Sequence, residues 1–119
     1  MKQQLTFAQS ELSRHARRTR RDVFLSEMDR LIPWAGFVAL IEPFYGVQGR
    51  GRPPIGAERM LRLYFVQCWF TLSDEATEEA LYDSIAISRF VGIDLGRERA
   101  PDATTLLRFR HLLQEHGLN

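Results

Sequence analysis

The sequence predicts an all-α protein, a small bundle of five to six helices preceded by an extended N-terminal arm. Apolar residues recur at intervals of three and four in several segments between residues 19 and 113, which is the spacing of amphipathic helices. The alternation of polar and apolar residues that marks strands is almost absent. Ser, Thr, Asp or Pro precedes these segments, as is typical of helix starts. Because 45% of the 119 residues are hydrophobic, we expect one domain with a single core.

Composition excludes several classes of protein. Eight Phe, three Tyr and two Trp are too many for a disordered tail. The single Cys68 excludes a disulfide framework and a thiolate zinc site, and it suits a reducing compartment. No signal peptide is readable, and the longest apolar stretch, Met60–Leu72, is shorter than the roughly 20 residues of a membrane-spanning helix. We therefore expect a soluble, cytoplasmic protein.

The chain divides into a mobile basic arm, residues 1–18, and a helical domain, residues 19–119. In the arm, Leu5 and Phe7 are candidate anchors. Thr19, followed three residues later by Asp22, resembles a capping box and opens the first helix. Pro33 ends that helix or starts the next, which carries apolar residues at helical spacing as far as Ile41.

A loop rich in glycine and proline, residues 46–54, separates this helical hairpin from a third helix at about Ile55 to Phe70. The third helix is apolar on most of its circumference, so we expect it to be the buried centre of the bundle and Cys68 to be a buried small hydrophobe. Its polar side is restricted to its N-terminal half and consists of Glu58, Arg59 and Arg62.

Ser73 is the predicted cap of the fourth helix, whose first residues Asp74 and Glu75 suit the positive end of the helix dipole. The helical wheel places Ala76, Thr77, Ala80 and Leu81 inward, and Glu75, Glu78, Glu79, Tyr82 and Asp83 outward. Residues 88–91 are predicted to form a further short helical turn. Residues 92–100, with Arg97 and Arg99, form a loop.

The final helix begins at a predicted Asp102 cap and divides into two faces. Thr105, Leu106, Phe109, Leu112 and Leu113 share one face; Thr104, Leu107, Arg108 and His111 lie opposite, with Arg110 on the flank. A helix of this kind after a shorter helix and a loop fits a helix-turn-helix variant, although the loop is longer than the usual tight turn. Arg108 then pairs with a guanine, and Thr104 or His111 contacts bases or phosphates. The alternative is a surface helix with solvated arginines.

Arginine is concentrated in two further places, although the net charge is only +1. Five arginines and no acid lie within residues 14–21, a cluster that can neutralise several phosphates or be a solvated approach to the first helix. Arg50-Gly51-Arg52-Pro53 matches the core of minor-groove hooks, or else is a flexible loop before a helix. The candidate DNA-binding residues are therefore Arg14, Arg17, Arg18, Arg20, Arg21, Arg50, Arg52, Thr104, Arg108, Arg110 and His111.

We find no candidate for catalysis, for a metal site or for a cofactor. The acidic face of the fourth helix has the composition of a solvated helical surface rather than of paired metal ligands. His111 and His116 are five positions apart and point away from each other on one helix, so with His15 they form no ligand set. Glycine-rich phosphate loops and nucleophile elbows are missing from the sequence.

Several ordered segments resemble the opening of the transposases of the bacterial insertion-sequence-five family. They cover nearly the whole chain: Gln4–Glu11, Pro33-Trp34, Ile41–Tyr45, Gly51–Pro54, Met60–Arg62, Leu72–Ala76, Ala80–Ser84 and Pro101–Leu113. The resemblance implies an N-terminal helical domain that binds the terminal inverted repeats of the element. It also implies a bacterial, nucleoid-associated location.

In that family a ribonuclease-H-like domain follows and carries the Asp-Asp-Glu carboxylates that hold divalent metal. None of the three has a counterpart in residues 1–119, so no catalytic residue is carried over and we expect no catalysis from this chain alone. The expected partner is double-stranded DNA bearing terminal inverted repeats. Alternatives are a module that dimerises with itself or inhibits full-length transposase, and a decayed product without activity.

Overall fold

A computed structural model of the chain describes residues 18–45 and 55–119. Those ranges contain six helices: α1 (Arg20–Leu31), α2 (Trp34–Ile41), α3 (Ala57–Phe70), α4 (Asp74–Asp83), α5 (Ile85–Val91) and α6 (Ala103–Glu115). They contain no strand, so the all-α prediction is confirmed. Within them no helix is long and apolar enough to cross a membrane. Most of the predicted arm and the whole 46–54 loop, with Arg14, Arg17, Arg50 and Arg52, lie outside the described residues.

The first two helices follow one another in the chain but do not pack together as the predicted hairpin: α1 packs on α5 and α2 packs on α3. The Thr19 side chain accepts a hydrogen bond from the Asp22 N–H at 3.1 Å, which confirms the predicted cap of α1. Pro33 lies between α1 and α2 as the residue before the second helix. The Trp34 indole N–H then donates to the Asp29 carbonyl at 3.1 Å, so α2 is fastened back onto the last turns of α1.

Helix α3 is the centre of the bundle, as predicted, and packs against α2, α4, α5 and α6. Met60, Leu63 and Val66 on this helix are fully buried. The helix begins at Ala57 rather than at about Ile55. The carbonyl of Ile55 instead accepts a hydrogen bond from the Tyr45 hydroxyl at 2.5 Å, and this long-range partner holds the residue outside the helix.

Arg62 belongs to the core of the structure rather than to a solvated polar side. Its side chain is only 14% exposed and donates to Asp29 at 2.7 Å, Glu58 at 2.9 Å and the Phe90 carbonyl at 2.9 Å. The guanidinium also lies 4.4 Å from the Trp34 ring centroid, within the range of a cation–π interaction. One arginine thus joins α1, α2, α3 and α5.

The prediction that Cys68 is buried is wrong, because its side chain is exposed. The positions that α3 buries near its C-terminal end are Val66 and Gln67. Because α3 is apolar on almost every side, its helical wheel cannot show which side remains exposed to solvent. That side depends on where the other helices pack.

Helices α4 and α5 meet at Ser84, which ends the first and caps the second. Ser73 caps α4 as predicted, and Thr77 and Leu81 are its fully buried residues. The short turn predicted for residues 88–91 is a longer helix, because the Ser84 hydroxyl accepts from the Ile87 N–H at 3.2 Å and allows α5 to begin at Ile85.

Helix α6 packs chiefly on α4 and α3. Its start is confirmed at the predicted cap: the Asp102 carboxylate accepts from the Thr105 N–H at 2.8 Å. Leu106, Phe109 and Leu113 are buried against the bundle, so the predicted inward face is confirmed at those positions.

Candidate nucleic-acid interface

The outward face of α6 carries three of the four side chains of this helix that the sequence assigned to DNA contact. Thr104, Arg108 and His111 are all exposed. They are four and then three positions apart in the sequence, so they form a single row along the helix surface. The fourth predicted member of this face, Leu107, is half-buried. The accessible row is therefore polar and bears one permanent positive charge.

Two carboxylates occupy the N-terminal end of α6. Asp102 accepts hydrogen bonds from both the N–H and the hydroxyl of Thr105, each at 2.8 Å. Glu78, which the helical wheel had placed outward, is half-buried because its carboxylate accepts from the Ala103 N–H at 2.9 Å. A helix N-terminus normally attracts phosphate through its free N–H groups. Here the N–H groups of Ala103 and Thr105 already bind carboxylates, so the side chains farther along the helix are the better candidates for DNA contact.

The pKa of Asp102 is lowered mainly by the hydrogen bonds from the Thr105 backbone and hydroxyl, with smaller contributions from the charges of Arg108 and Arg99. Arg99 is exposed, as is Arg97 two residues before it. Neither was among the candidate DNA-binding residues, although Arg99 lies only three residues before the Asp102 cap.

Arg110 faces the protein rather than solvent. Its Nη2 donates to Asp74 at 2.8 Å, and the other oxygen of the same carboxylate accepts from Gln67 at 2.8 Å. Burial by itself would raise the pKa of Asp74, but the hydrogen bonds from Gln67 and Arg110 and the charge of Arg110 outweigh it and leave the pKa lowered. The bridge fixes the rotation of α6 relative to α4 and so determines which residues point outward.

The described part of the 14–21 arginine cluster surrounds the start of α1. Arg18 is an ion-pair partner of Asp22 at 2.7 Å and also donates to Ser26 at 3.1 Å. Arg20 is exposed, and Arg21 lies 5.1 Å from the centroid of the Phe70 ring. The three side chains therefore differ in how strongly the protein itself engages them.

The two residues that flank the 46–54 segment are held together. The Tyr45 hydroxyl donates to the Ile55 carbonyl, and burial raises the pKa of this hydroxyl so that it stays protonated as a donor. The Tyr45 ring also packs edge-on against Phe109 of α6, with the ring centroids 5.8 Å apart. Tyr45 thus contacts both Ile55 and α6.

Within residues 18–45 and 55–119, no group of three or more His, Cys, Asp or Glu side chains is arranged to hold a metal ion. His116 stacks on Phe44 with the ring centroids 3.7 Å apart, whereas His111 lies on the outward row of α6.

Comparison with known proteins gives one result for the sequence and one for the fold. Residues 12–112 match the model of a family described as "Transposase domain (DUF772)". No solved structure matches the chain.

Proposed function

The chain belongs to the transposase-domain family that residues 12–112 match, and on that premise we propose that it binds the terminal inverted repeats of an insertion sequence. The segments that resemble the insertion-sequence-five transposases make that branch of the family our choice. The observation that carries the proposal is the exposed row Thr104, Arg108 and His111 on a helix whose opposite face is buried.

In the proposed complex α6 lies in the major groove as the second helix of a helix-turn-helix variant. Arg108 reads a guanine through its two-pronged guanidinium, and Thr104 and His111 contact neighbouring bases or phosphates. The carboxylates of Asp102 and Glu78 at the start of the helix repel phosphate, so the contacts centre on Arg108 rather than on the helix terminus.

Arginines outside α6 supply contacts to the backbone that position the domain but do not read sequence. In the proposal these are the cluster at residues 14–21 and the pair Arg50 and Arg52, which follow Tyr45, a residue in contact with α6. Arg110 takes a supporting role, because its ion pair with Asp74 keeps Arg108 on the outward side of the helix.

Fluorescence anisotropy tests this function with an inverted-repeat duplex and a scrambled duplex of equal length across a salt series. We expect tighter binding of the repeat, and we expect Arg108→Ala to reduce that difference. Arg30→Ala is the matched control, since it removes one exposed arginine from α1. Equal affinity of the wild-type chain for the two duplexes, or no binding at low salt, contradicts the proposal.

The proposal assigns no strand cleavage or joining to this chain by itself. The corresponding assay incubates the purified chain with inverted-repeat DNA and Mg²⁺ or Mn²⁺ and follows strand breaks on a denaturing gel. Uncut DNA is the expected result. Metal-dependent cleavage that persists through further purification would overturn this part of the proposal.

A second candidate function is self-association, with interference in the assembly of full-length transposase. One observation favours it: α2 carries no charged residue, and its Phe37 and Leu40 are 37% and 55% exposed. An exposed apolar helix face of this kind is typical of interaction surfaces. Sedimentation equilibrium of the wild-type chain and of Leu40→Glu tests it. A wild-type monomer at every concentration excludes the self-association.

A further inference from the structure

We propose that the loop Gly92–Ala100 is a rigid phosphate-binding loop beside α6, in which Arg97 and Arg99 contact the DNA backbone and Glu98 is the positioning residue. This inference rests on the proposed DNA binding and extends it to residues that the sequence analysis did not select.

The loop is fastened to α3 through one guanidinium. Arg59 donates to the Gly92 carbonyl from Nε at 3.0 Å and from Nη2 at 2.6 Å, and its Nη1 donates to Glu98 at 2.9 Å. Gly92 has a φ of 86°, a left-handed conformation that favours glycine, and it ends α5. Both ends of the loop therefore hold a fixed position relative to the bundle.

Hydrogen bonds within the loop fix the residues between those points. The backbone carbonyl of Asp94 accepts from the N–H groups of Arg97 and Glu98, each at 2.9 Å. The side chain of Asp94 accepts from the Gly96 N–H at 3.0 Å, and Glu98 accepts from the Asp94 N–H at 3.1 Å. The Glu98 carboxylate thus binds both α3 and the start of its own turn.

The inward position of Glu98 turns its two neighbours outward. The Arg97 side chain is 88% exposed, and Arg99 is exposed on the other side of Glu98. Arg99 lies three residues before the Asp102 cap in the chain, which places it near the start of α6, and its charge helps to lower the pKa of the Asp102 carboxylate. Phosphates of both DNA strands flank a helix that lies in the major groove, and in the proposed complex Arg97 and Arg99 contact these phosphates.

The acids of the loop do not cancel these charges, because each of them already has a partner. Glu98 binds Arg59, and Asp102, just beyond the loop, accepts hydrogen bonds from the N–H and the hydroxyl of Thr105. Asp94 is engaged by the turn, and its contact with Arg97 is long, 3.6 Å, between exposed groups. Such a pair contributes little, so a phosphate that accepts two hydrogen bonds from the guanidinium displaces it readily. Since the loop is already ordered, binding costs little conformational entropy.

The test uses the whole chain and the two duplexes named above. Each lost phosphate contact lowers the slope of log affinity against log salt by about 0.9. Between about 50 mM and about 200 mM salt, wild type should therefore lose about tenfold more affinity than Arg97→Ala/Arg99→Ala. The loss should be the same on repeat and scrambled DNA. Arg30→Ala/Arg89→Ala, which removes two exposed arginines elsewhere, should keep the wild-type slope.

Glu98→Ala separates positioning from charge. The substitution removes a negative charge, and this effect alone would strengthen DNA binding. If Glu98 positions the loop, its loss should instead weaken binding to both duplexes. Glu98→Gln, which keeps one acceptor oxygen for Arg59 and the Asp94 N–H, should recover part of the affinity. Thermal unfolding of each variant measures any loss of fold, and Glu98→Gln keeps the comparison available if the alanine variant does not fold.

The outcomes distinguish this inference from the function on which it rests. A wild-type chain that binds neither duplex overturns both. A wild-type chain that binds DNA while Arg97→Ala/Arg99→Ala keeps its salt slope overturns the phosphate-binding loop alone. The loop is also excluded if the control pair flattens the slope equally, or if Glu98→Ala binds DNA more tightly than wild type.

Discussion

The carboxylate of Asp74 holds the guanidinium of Arg110 at 2.8 Å across the contact between α4 and α6. Two residues earlier on the same helix, Arg108 is exposed and has no ion-pair partner among the described residues. Two arginines of one helix therefore have different tasks: one attaches the helix to the bundle, and the other faces outward.

Arg108→Ala should impair DNA recognition and leave stability unchanged, whereas Arg110→Ala should lower stability. Loss of Arg108 should lower discrimination between repeat and scrambled DNA by about 1–3 kcal/mol, with thermal unfolding unchanged. Loss of Arg110 leaves Asp74 partly buried with its Gln67 hydrogen bond alone, and should lower the free energy of unfolding by about 1–3 kcal/mol. Anisotropy and circular dichroism measure the two quantities. An Arg110→Ala chain of wild-type stability that loses discrimination would reverse these assignments.

Stability should fall in acid, partly because of Asp74. Its pKa is lowered in the folded chain, so its contribution is complete above the unfolded pKa of about 3.9 and is lost as pH falls through the folded value. Urea unfolding between about pH 6 and about pH 2 should show this loss. In Asp74→Asn the decline should be shallower, because that carboxylate no longer titrates. The pKa values of Glu98 and Asp102 are also lowered, so these two carboxylates contribute to the loss of stability in acid both in wild type and in Asp74→Asn. A variant curve parallel to wild type would exclude the contribution of Asp74.

Arg62→Ala should be strongly destabilising, by about 2–4 kcal/mol, because it removes hydrogen bonds to three partners and the stacking on Trp34. Arg62→Lys should recover only part of the lost stability, since an ammonium group cannot reproduce the planar set of hydrogen-bond donors of the guanidinium. Chemical denaturation of both variants provides the measurement. Arg89→Ala, on the exposed side of α5, is the control and should remain close to wild type. Equal stability of the lysine variant and wild type would contradict the role of this planar set of donors.

Thr71→Gly should stabilise the protein by up to about 1 kcal/mol. Thr71 follows α3 with φ 53° and ψ 55°, a left-handed conformation that is unfavourable for a β-branched residue, and its side chain is exposed. Glycine adopts this conformation without strain and keeps the hydrogen bond from the Leu72 N–H to the Gln67 carbonyl. Thermal unfolding of Thr71→Gly should show a higher midpoint than wild type, and the midpoint of Thr71→Ala should lie between those of wild type and Thr71→Gly. A lower midpoint for the glycine variant would mean that the Thr71 side chain makes a stabilising contact.

Arg20→Ala should weaken binding to every duplex by the same factor and lower the salt slope by about 1. Arg18→Ala should lower it less, because Asp22 and Ser26 already engage the Arg18 guanidinium. Anisotropy on the two duplexes at several salt concentrations compares the variants. A selective loss of affinity for the repeat in Arg20→Ala would instead indicate that α1 reads bases.

The sequence by itself determined most of the helices, three of their caps and the buried and exposed positions of α6. Thr19, Ser73 and Asp102 were identified as caps because a capping side chain binds N–H groups only two or three residues away. Leu106, Phe109 and Leu113 were assigned inward because helical periodicity is also a local property. For the same reason Thr104, Arg108 and His111 were correctly placed on the exposed side.

Only the tertiary structure decided which arginines are available and which are bound within the protein. Arg62 and Arg59 lie on the polar side of their helix, but their partners Asp29 and Glu98 are 33 and 39 residues away in the chain. The same long-range packing leaves Cys68 exposed. Periodicity records whether a residue is polar and which way it points from its own helix. The group that it meets there depends on how the other helices pack around it.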